Sequence, residues 1–273
     1  MTRVSKAELL RLAESMPDRE RQIIEAVDQF RLLSGSQLGR LYFHTTIQAA
    51  SRERVSRRVL HGLAAQHVLV PLERRIGGVR AGSAGTVYSL GPIGKRLIAY
   101  WHGDGLVRVR TVHQPGVLFV RHTLAVAECY VQLVEAARDG WAELLAFDAE
   151  PTCWRSFVGS YGGETILKPD AFIRLGVDGG YEQRTFLELD CGSEGRGALM
   201  RKCRAYAAYY RSGQETVMPR VVWITTAQAR VRLLVDICAR LPAEDWQLFA
   251  IGTTDRLLSL CLGDEQAPKS AVI

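Results

Sequence analysis

The 273-residue sequence predicts a mixed α/β protein, α+β overall, built in two parts. Three observations carry that expectation. Apolar residues recur at helical spacing through most of residues 18–101, whereas from residue 121 onward helical stretches alternate with strand-like runs. Between them, residues 102–120 hold four glycines or prolines among alternating Val and Arg, which reads as a connection. Charge is segregated as well: residues 1–115 carry 18 Lys and Arg against 9 Asp and Glu, and the remainder carries 17 against 20. The expected organisation is a domain over 1–101, a linker over 102–120, a second domain over 121–262 and a flexible tail over 263–273.

The chain is long enough for each part to bury its own core, and 47% apolar residues suit ordinary globular folding. A net charge of +6, concentrated in the N-terminal half, favours an anionic partner there, nucleic acid ahead of a membrane surface. Six cysteines are scattered without metal-ligand spacing and read as reduced, mostly buried thiols. The charged amphipathic start, Met1 to Glu8, lacks the apolar core of a signal peptide, and no run is expected to reach the length of a membrane span. These features point to a cytoplasmic protein without membrane contact.

In the N-terminal part, Pro17-Asp18 opens a helix that places Ile23, Ile24, Val27, Phe30 and Leu33 on one side. A serine-capped segment, Ser36 to Phe43, is long enough for about two helical turns. A third helix runs over 49–66. There Val55, Val59 and Leu63 form one stripe, and Arg54, Arg57, Arg58 and His61 form a second that points the opposite way at about 100° per residue. Two short strands follow, at 68–76 and 86–90, joined by a loop that holds Gly77, Gly78, Gly82 and Gly85 together with Arg80, just after Arg74 and Arg75. Pro92 then opens a helix that ends near Trp101.

The C-terminal part reads α-β-β-β-α-β-α-β. Helices are expected at 121–138, 196–212 and 227–240, with strands near 142–149, 169–175, 184–190 and 220–225 and a last apolar segment at 246–251. Its chemistry is concentrated in Lys168-Pro169-Asp170 and in Phe186-Leu187-Glu188-Leu189-Asp190. Alternation places Asp170 near the start of one strand and projects Glu188 and Asp190 from one face of the next. Three oxygen-rich side chains so arranged suit a hard divalent cation, Mg or Mn, that lowers the pKa of bound water. The competing expectation is that the acids accept from loop amides or pair with Arg174, Arg184 or Arg196, because buried acids are seldom left unpaired.

Three helices and a two-stranded wing resemble the winged helix-turn-helix superfamily, over residues 18–100. That resemblance implies that the third helix enters the DNA major groove. Arg54, Arg57, Arg58 and His61 would read bases and hold phosphates, and Arg74, Arg75 and Arg80 would reach phosphate or the minor groove from the wing. The second part resembles the restriction-endonuclease-like, or PD-(D/E)xK, superfamily in its αβββαβ order, with Pro169-Asp170 as the first element and Glu188 as the strand acid. That resemblance implies a magnesium-dependent site in which a lysine two residues past the strand acid activates water. Asp190 stands in that lysine's place. Lys202, on the following helix, is the candidate replacement, ahead of Arg201, Arg204 and Lys168, and Glu128 is a candidate for a further carboxylate.

Taken together, the winged-helix pattern, Arg121-His122-Thr123-Leu124, Pro169-Asp170-Ala171, Phe186 to Asp190 and Lys202-Cys203-Arg204-Ala205-Tyr206 resemble the replication-relaxation protein family of bacterial plasmids and mobile elements, over about residues 18–226. The resemblance implies a Glu-x-Asp form of the acidic strand and a role in replication, relaxation or transfer. Three functions follow: a double-stranded-DNA-binding protein whose nuclease-like domain is degenerate, a magnesium-dependent endonuclease using Asp170, Glu188, Asp190 and Lys202, or an adaptor for replication or transfer proteins. A homodimer on two DNA half-sites fits the first, although no coiled coil fixes it. Other chemistries are disfavoured. The six histidines form no HxxxH pair, the glycine-rich loop lacks a Gly-Lys-Ser/Thr ending, and Ala81 to Gly85 lies outside the strand-to-helix setting of a nucleophile elbow.

Overall fold

The computed structural model describes residues 4–45, 48–72, 85–104, 115–159, 162–177 and 180–263. The chain divides into two compact units, Met1–Val131 and Gln132–Ile273, and its architecture is mixed α/β. The division falls inside a helix, whereas the sequence placed the connection at 102–120. Residues 105–114 of that stretch lie outside the described residues, as does the expected tail from residue 264.

The first unit opens with α1 (Lys6–Ser15), a helix that includes part of the charged amphipathic start. Its start is fixed by a reciprocal capping box: Ser5 Oγ accepts from the Glu8 amide, and the Glu8 carboxylate accepts from the Ser5 amide. Helix α2 (Asp18–Phe30) buries Ile23, Ile24, Val27 and Phe30, as their spacing requires. A two-residue strand, β1 (Leu33–Ser34), leads straight into α3 (Gly35–Tyr42), where Ser34 and Gln37 form a second capping box. Helix α4 (Ala49–Ala65) follows, then β2 (Leu69–Pro71), β3 (Val87–Leu90) and α5 (Pro92–Trp101). The three strands form one antiparallel sheet in the order β1-β3-β2. Gly91 is required where β3 meets α5, because a Cβ there would lie 2.1 Å from the His67 carbonyl oxygen, a backbone atom that cannot move aside cheaply.

Helix α6 (Val117–Arg138) is, by length and composition alone, long and apolar enough to cross a membrane, which corrects the expectation that no run would be. Within the first unit part of its surface is packed. Val126, Ala127 and Cys129 are buried, Tyr130 meets Phe30 with ring centroids 4.8 Å apart, and Glu128 is bound by Arg40 and Gln37 of α3.

In the second unit, β4 (Glu143–Ala149), β7 (Ala171–Val177), β8 (Tyr181–Asp190), β9 (Arg220–Thr225) and β10 (Phe249–Thr253) form a five-stranded sheet in the order β10-β9-β8-β7-β4. β8 pairs antiparallel with β7 and parallel with β9, so the sheet changes sense at β8. A separate hairpin, β5 (Arg155–Val158) with β6 (Glu164–Leu167), was not legible in the sequence. Its strands are four residues each, too short for alternation to stand out from the surrounding turns.

Helices α7 (Arg196–Arg211) and α8 (Gln228–Cys238) supply Leu199, Cys203, Tyr206, Tyr209, Leu234 and Ile237 to the core built on Phe172, Phe186, Val221 and Trp223. After β10, α10 (Leu257–Leu262) supplies Leu257, Leu260 and Cys261 to the opposite face. A short helix, α9 (Ala243–Trp246), links α8 to β10. With both faces covered, the six residues Thr185 to Asp190 are all buried, acids included.

Candidate functional site

Two groups of residues singled out by the sequence can be placed, one in each unit. On α4, Arg54, Arg57, Arg58 and His61 are all exposed. The buried side of that helix is Ser56, Leu60 and Leu63, with Val55 and Val59 half-buried, so the buried stripe is turned by one residue from the expected 55, 59 and 63. The Ser56 hydroxyl lies near Gly39 of α3 and donates to the Glu53 carbonyl, 3.1 Å away. The turn leaves the basic face outward. Arg74, Arg75 and Arg80 lie outside the described residues.

The acidic group lies at the C-terminal end of β8. Asp170 precedes β7, where Pro169 has no N–H to extend the ladder. The Asp170 amide donates to the Leu187 carbonyl at 3.0 Å, and its carboxylate accepts from the Leu189 amide at 2.7 Å, so the side chain completes the strand pairing that the proline interrupts. Because Ala171 is in register with Leu187, the position before it falls beside Glu188 on the α7 face of the sheet.

Glu188 is 1% exposed. Lys202 Nζ donates to one carboxylate oxygen at 3.0 Å and the Tyr206 hydroxyl to the other at 2.7 Å. Lysine and tyrosine are four residues apart on α7, the spacing that puts both on one helix face. Burial and the neighbouring Asp170 charge push the Glu188 carboxyl up to about 7, against the opposing pull of Lys202 and Tyr206. Lys202 is raised: burial works against its charge, but Glu188, Asp170 and Glu194 together outweigh that cost. The Tyr206 hydroxyl is raised well above its ordinary range by burial and by the Glu188 carboxylate it serves.

Asp190 does not join this pair. Arg230 of α8 takes both its oxygens, at 2.6 and 2.9 Å, and the Gly192 amide donates to it at 2.9 Å. Its side chain is 0% exposed against 20% for the arginine. Among the described residues, no three His, Cys, Asp or Glu side chains are grouped so as to hold a metal ion. Of the three acids, Asp190 is neutralised by a guanidinium, and Asp170 and Glu188 are the two that lie side by side. In that pair it is burial first, and the Asp170 charge second, that raises Glu188.

Other expected partners also settle elsewhere. Arg174 and Arg184 both bind Glu182, and Arg196 binds Asp236. Lys168 is exposed, with its ammonium 4.5 Å from the centre of the Trp154 ring. Arg201 and Arg204 are exposed on α7, and Glu128, bound to α3, contributes nothing to the acidic group. Sequence reasoning missed Tyr206 as a polar member of the site, although its spacing from Lys202 was available. It also missed Glu194, 3.3 Å from Lys202, and Arg230, for which no local signal exists.

The fold and these geometries define a two-unit α/β protein with an outward basic helix in one unit and a buried acid–lysine–tyrosine centre in the other. The chain belongs to the replication-relaxation family, whose model matches residues 24–221. The matched span includes α4, Asp170, Glu188, Asp190, Glu194, Lys202 and Tyr206, and ends before Arg230. Comparison with curated proteins and with solved structures returned no match.

Proposed function

We propose that this is a cytoplasmic double-stranded-DNA-binding protein of a plasmid or mobile element, acting in replication, relaxation, transfer or the transcriptional control of these. In this reading the first unit is a winged helix-turn-helix. The helix trio α2, α3 and α4 followed by the β2–β3 pair is the order that such a domain requires. The observation that carries the proposal is the outward face of α4. Arg54, Arg57, Arg58 and His61 are exposed together, while the opposite side of the helix is anchored by Ser56, Leu60 and Leu63. An arginine fork can bridge guanine O6 and N7, and the remaining cations serve phosphates. The family's association with replication and relaxation supplies the biological setting.

The second unit, in this reading, has a restriction-endonuclease-like core that meets DNA or protein partners. The proximity of Asp170, Glu188 and Lys202 favours a second reading, a magnesium- or manganese-dependent endonuclease. Asp170 and Glu188 would hold the cation, which would offset charge on a phosphate. Lys202 would offset part of the cost of ionising Glu188, and Tyr206 would fix its orientation.

A gel-shift series on duplex DNA at several salt concentrations tests the first reading, with Arg54→Ala plus Arg57→Ala as the variant. A loss of at least about tenfold in affinity is expected, since each bidentate base contact is worth about 1–3 kcal/mol. Unchanged affinity would overturn it, and no DNA binding by the wild-type chain at low salt would favour the adaptor. In the same preparations, magnesium-dependent cutting of supercoiled plasmid that Glu188→Ala abolishes while sparing binding would establish the endonuclease.

A further inference from the structure

The ammonium of Lys202 has two carboxylate partners of unlike character. Glu188 is 2% exposed at its side chain and accepts a hydrogen bond at 3.0 Å; Glu194 is 36% exposed and makes an ion pair at 3.3 Å. The Lys202 side chain is itself 34% exposed, so solvent reaches it as it reaches Glu194. Glu194 is held there by its backbone. Arg230, already bidentate to Asp190, also donates to the Glu194 carbonyl at 2.8 Å, and Asp190 accepts from the Gly192 amide. Gly192, with φ of +82°, makes the turn that returns the chain to α7. Asp190 thus acts, through Arg230, as an anchor for the loop that presents Glu194.

The surroundings suit an anion. Helix α7 begins at Gly195 without a side-chain cap and has no acid in its first turn, so its positive end is not offset from within the helix. Its Lys202 side chain leans back toward that end, as helical side chains do. On the neighbouring strand, Trp223 is in register with Glu188 and Thr225 with Asp190. The indole N–H of Trp223 and the hydroxyl of Thr225 are buried without a hydrogen-bond partner among the described residues, both residues being 0% exposed. Lys202 Nζ lies 5.6 Å from the Trp223 ring centre.

We propose that Lys202 and the start of α7 form a phosphodiester-binding subsite, and that the Glu194 carboxylate is its resident occupant in the free protein. A carboxylate and a phosphodiester each carry one negative charge and present oxygen acceptors, so exchanging one for the other leaves the charge on Lys202 balanced. Glu188 stays in place during the exchange because it is buried and doubly bonded, whereas Glu194 gives way because it is half-exposed and bound to Lys202 by one ion pair. The proposal rests on reading the second unit as a DNA-contacting domain, and it adds the residue that limits access to its lysine.

The test uses the full chain and dimethyl phosphate, a phosphodiester without base or sugar, followed by 31P line broadening. Glu194→Gln is expected to tighten binding about two- to fivefold, the range that loss of a half-exposed competing ion pair allows. Lys202→Met should abolish the gain in the Glu194→Gln background, and Lys202→Arg should keep it. Unchanged or weaker binding in Glu194→Gln, with thermal stability retained, would overturn the proposal. Manganese titration separates the rival role. Equal affinity in wild type and Glu194→Gln is expected, and a loss beyond about tenfold would make Glu194 a cation ligand and overturn the subsite. Failure of the α4 gel-shift test or of plasmid cutting would leave the phosphate result standing, so the two readings fail separately.

Discussion

The basic face of α4 and the acidic end of β8 hold charge in opposite ways. On α4 the cations are exposed and spaced along a helix whose far side does the packing. On β8 the anions lie inside the sheet–helix layer, and Glu188 and Asp190 have named cationic partners, Lys202 and Arg230. An exposed charge costs the fold little and is available to a partner, whereas a buried one must be matched within the molecule before it can do anything else. A row of arginines in the first unit therefore reads as a surface for something absent. A row of acids in the second unit reads as part of the structure first, with chemistry reserved to the pair whose balance is incomplete.

Removing one partner from the buried side is expected to break the fold hardest. Asp190→Ala leaves the Arg230 guanidinium, 20% exposed, without its counter-charge, and a loss of about 3 kcal/mol in urea unfolding is expected. The double change Asp190→Ala with Arg230→Met should cost less than Asp190→Ala alone. Greater loss in the double variant would mean that Arg230 does more than neutralise Asp190.

Next in size is the pH response of Glu188. Its folded pKa is raised to about 7, above the ordinary carboxyl value of 4.5, so the folded state binds more protons than the unfolded state between those values. The contribution of Glu188 to stability is then fully present below about 4.5 and declines as pH rises through about 7. Thermal melts from pH 5 to pH 8 should show this fall, and Glu188→Gln should flatten it. A wild-type profile no steeper than that of Glu188→Gln would mean that Lys202 holds Glu188 ionised throughout.

The smallest effect on stability is expected on the basic side. Arg54→Ala plus Arg57→Ala should move the unfolding midpoint by no more than about 0.5 kcal/mol per substitution, the range for exposed positions. Those variants should still lose DNA affinity and flatten its salt dependence. A large stability loss would show that the arginines serve the fold and would remove the contrast between the two regions.

How much of each region the sequence reveals follows from the range of the interactions. Helix α4 is set by local periodicity, and its exposed face was legible; the one-residue turn of its buried stripe to Ser56, Leu60 and Leu63 was not, because it is set by packing against other elements. For the acidic group, Pro169-Asp170 and the alternation of β8 gave the neighbours Asp170 and Glu188, and Lys202 was legible as the nearest cation on the next helix. The partner of Asp190 was not, because Arg230 is 40 residues away and reaches β8 through the packing of α8 on the sheet. Local arginines such as Arg174 and Arg184 were closer along the chain, yet they meet Glu182 instead.

Gln37 of α3 links more of the first unit than its size suggests. Its side-chain oxygen accepts from the amide and the hydroxyl of Ser34, closing the cap of α3. Its amide nitrogen donates to the Leu124 carbonyl at 2.8 Å and to Glu128 at 3.2 Å, both on α6. Glutamate at this position would keep the cap but lose both donations and set a second negative charge against Glu128. Changes at 34, 37 and 128 are therefore non-additive: the effect of any one of them depends on which residues occupy the other two positions. Such epistasis ties the start of one helix to the middle of another through a single neutral amide, so these three positions are expected to vary together.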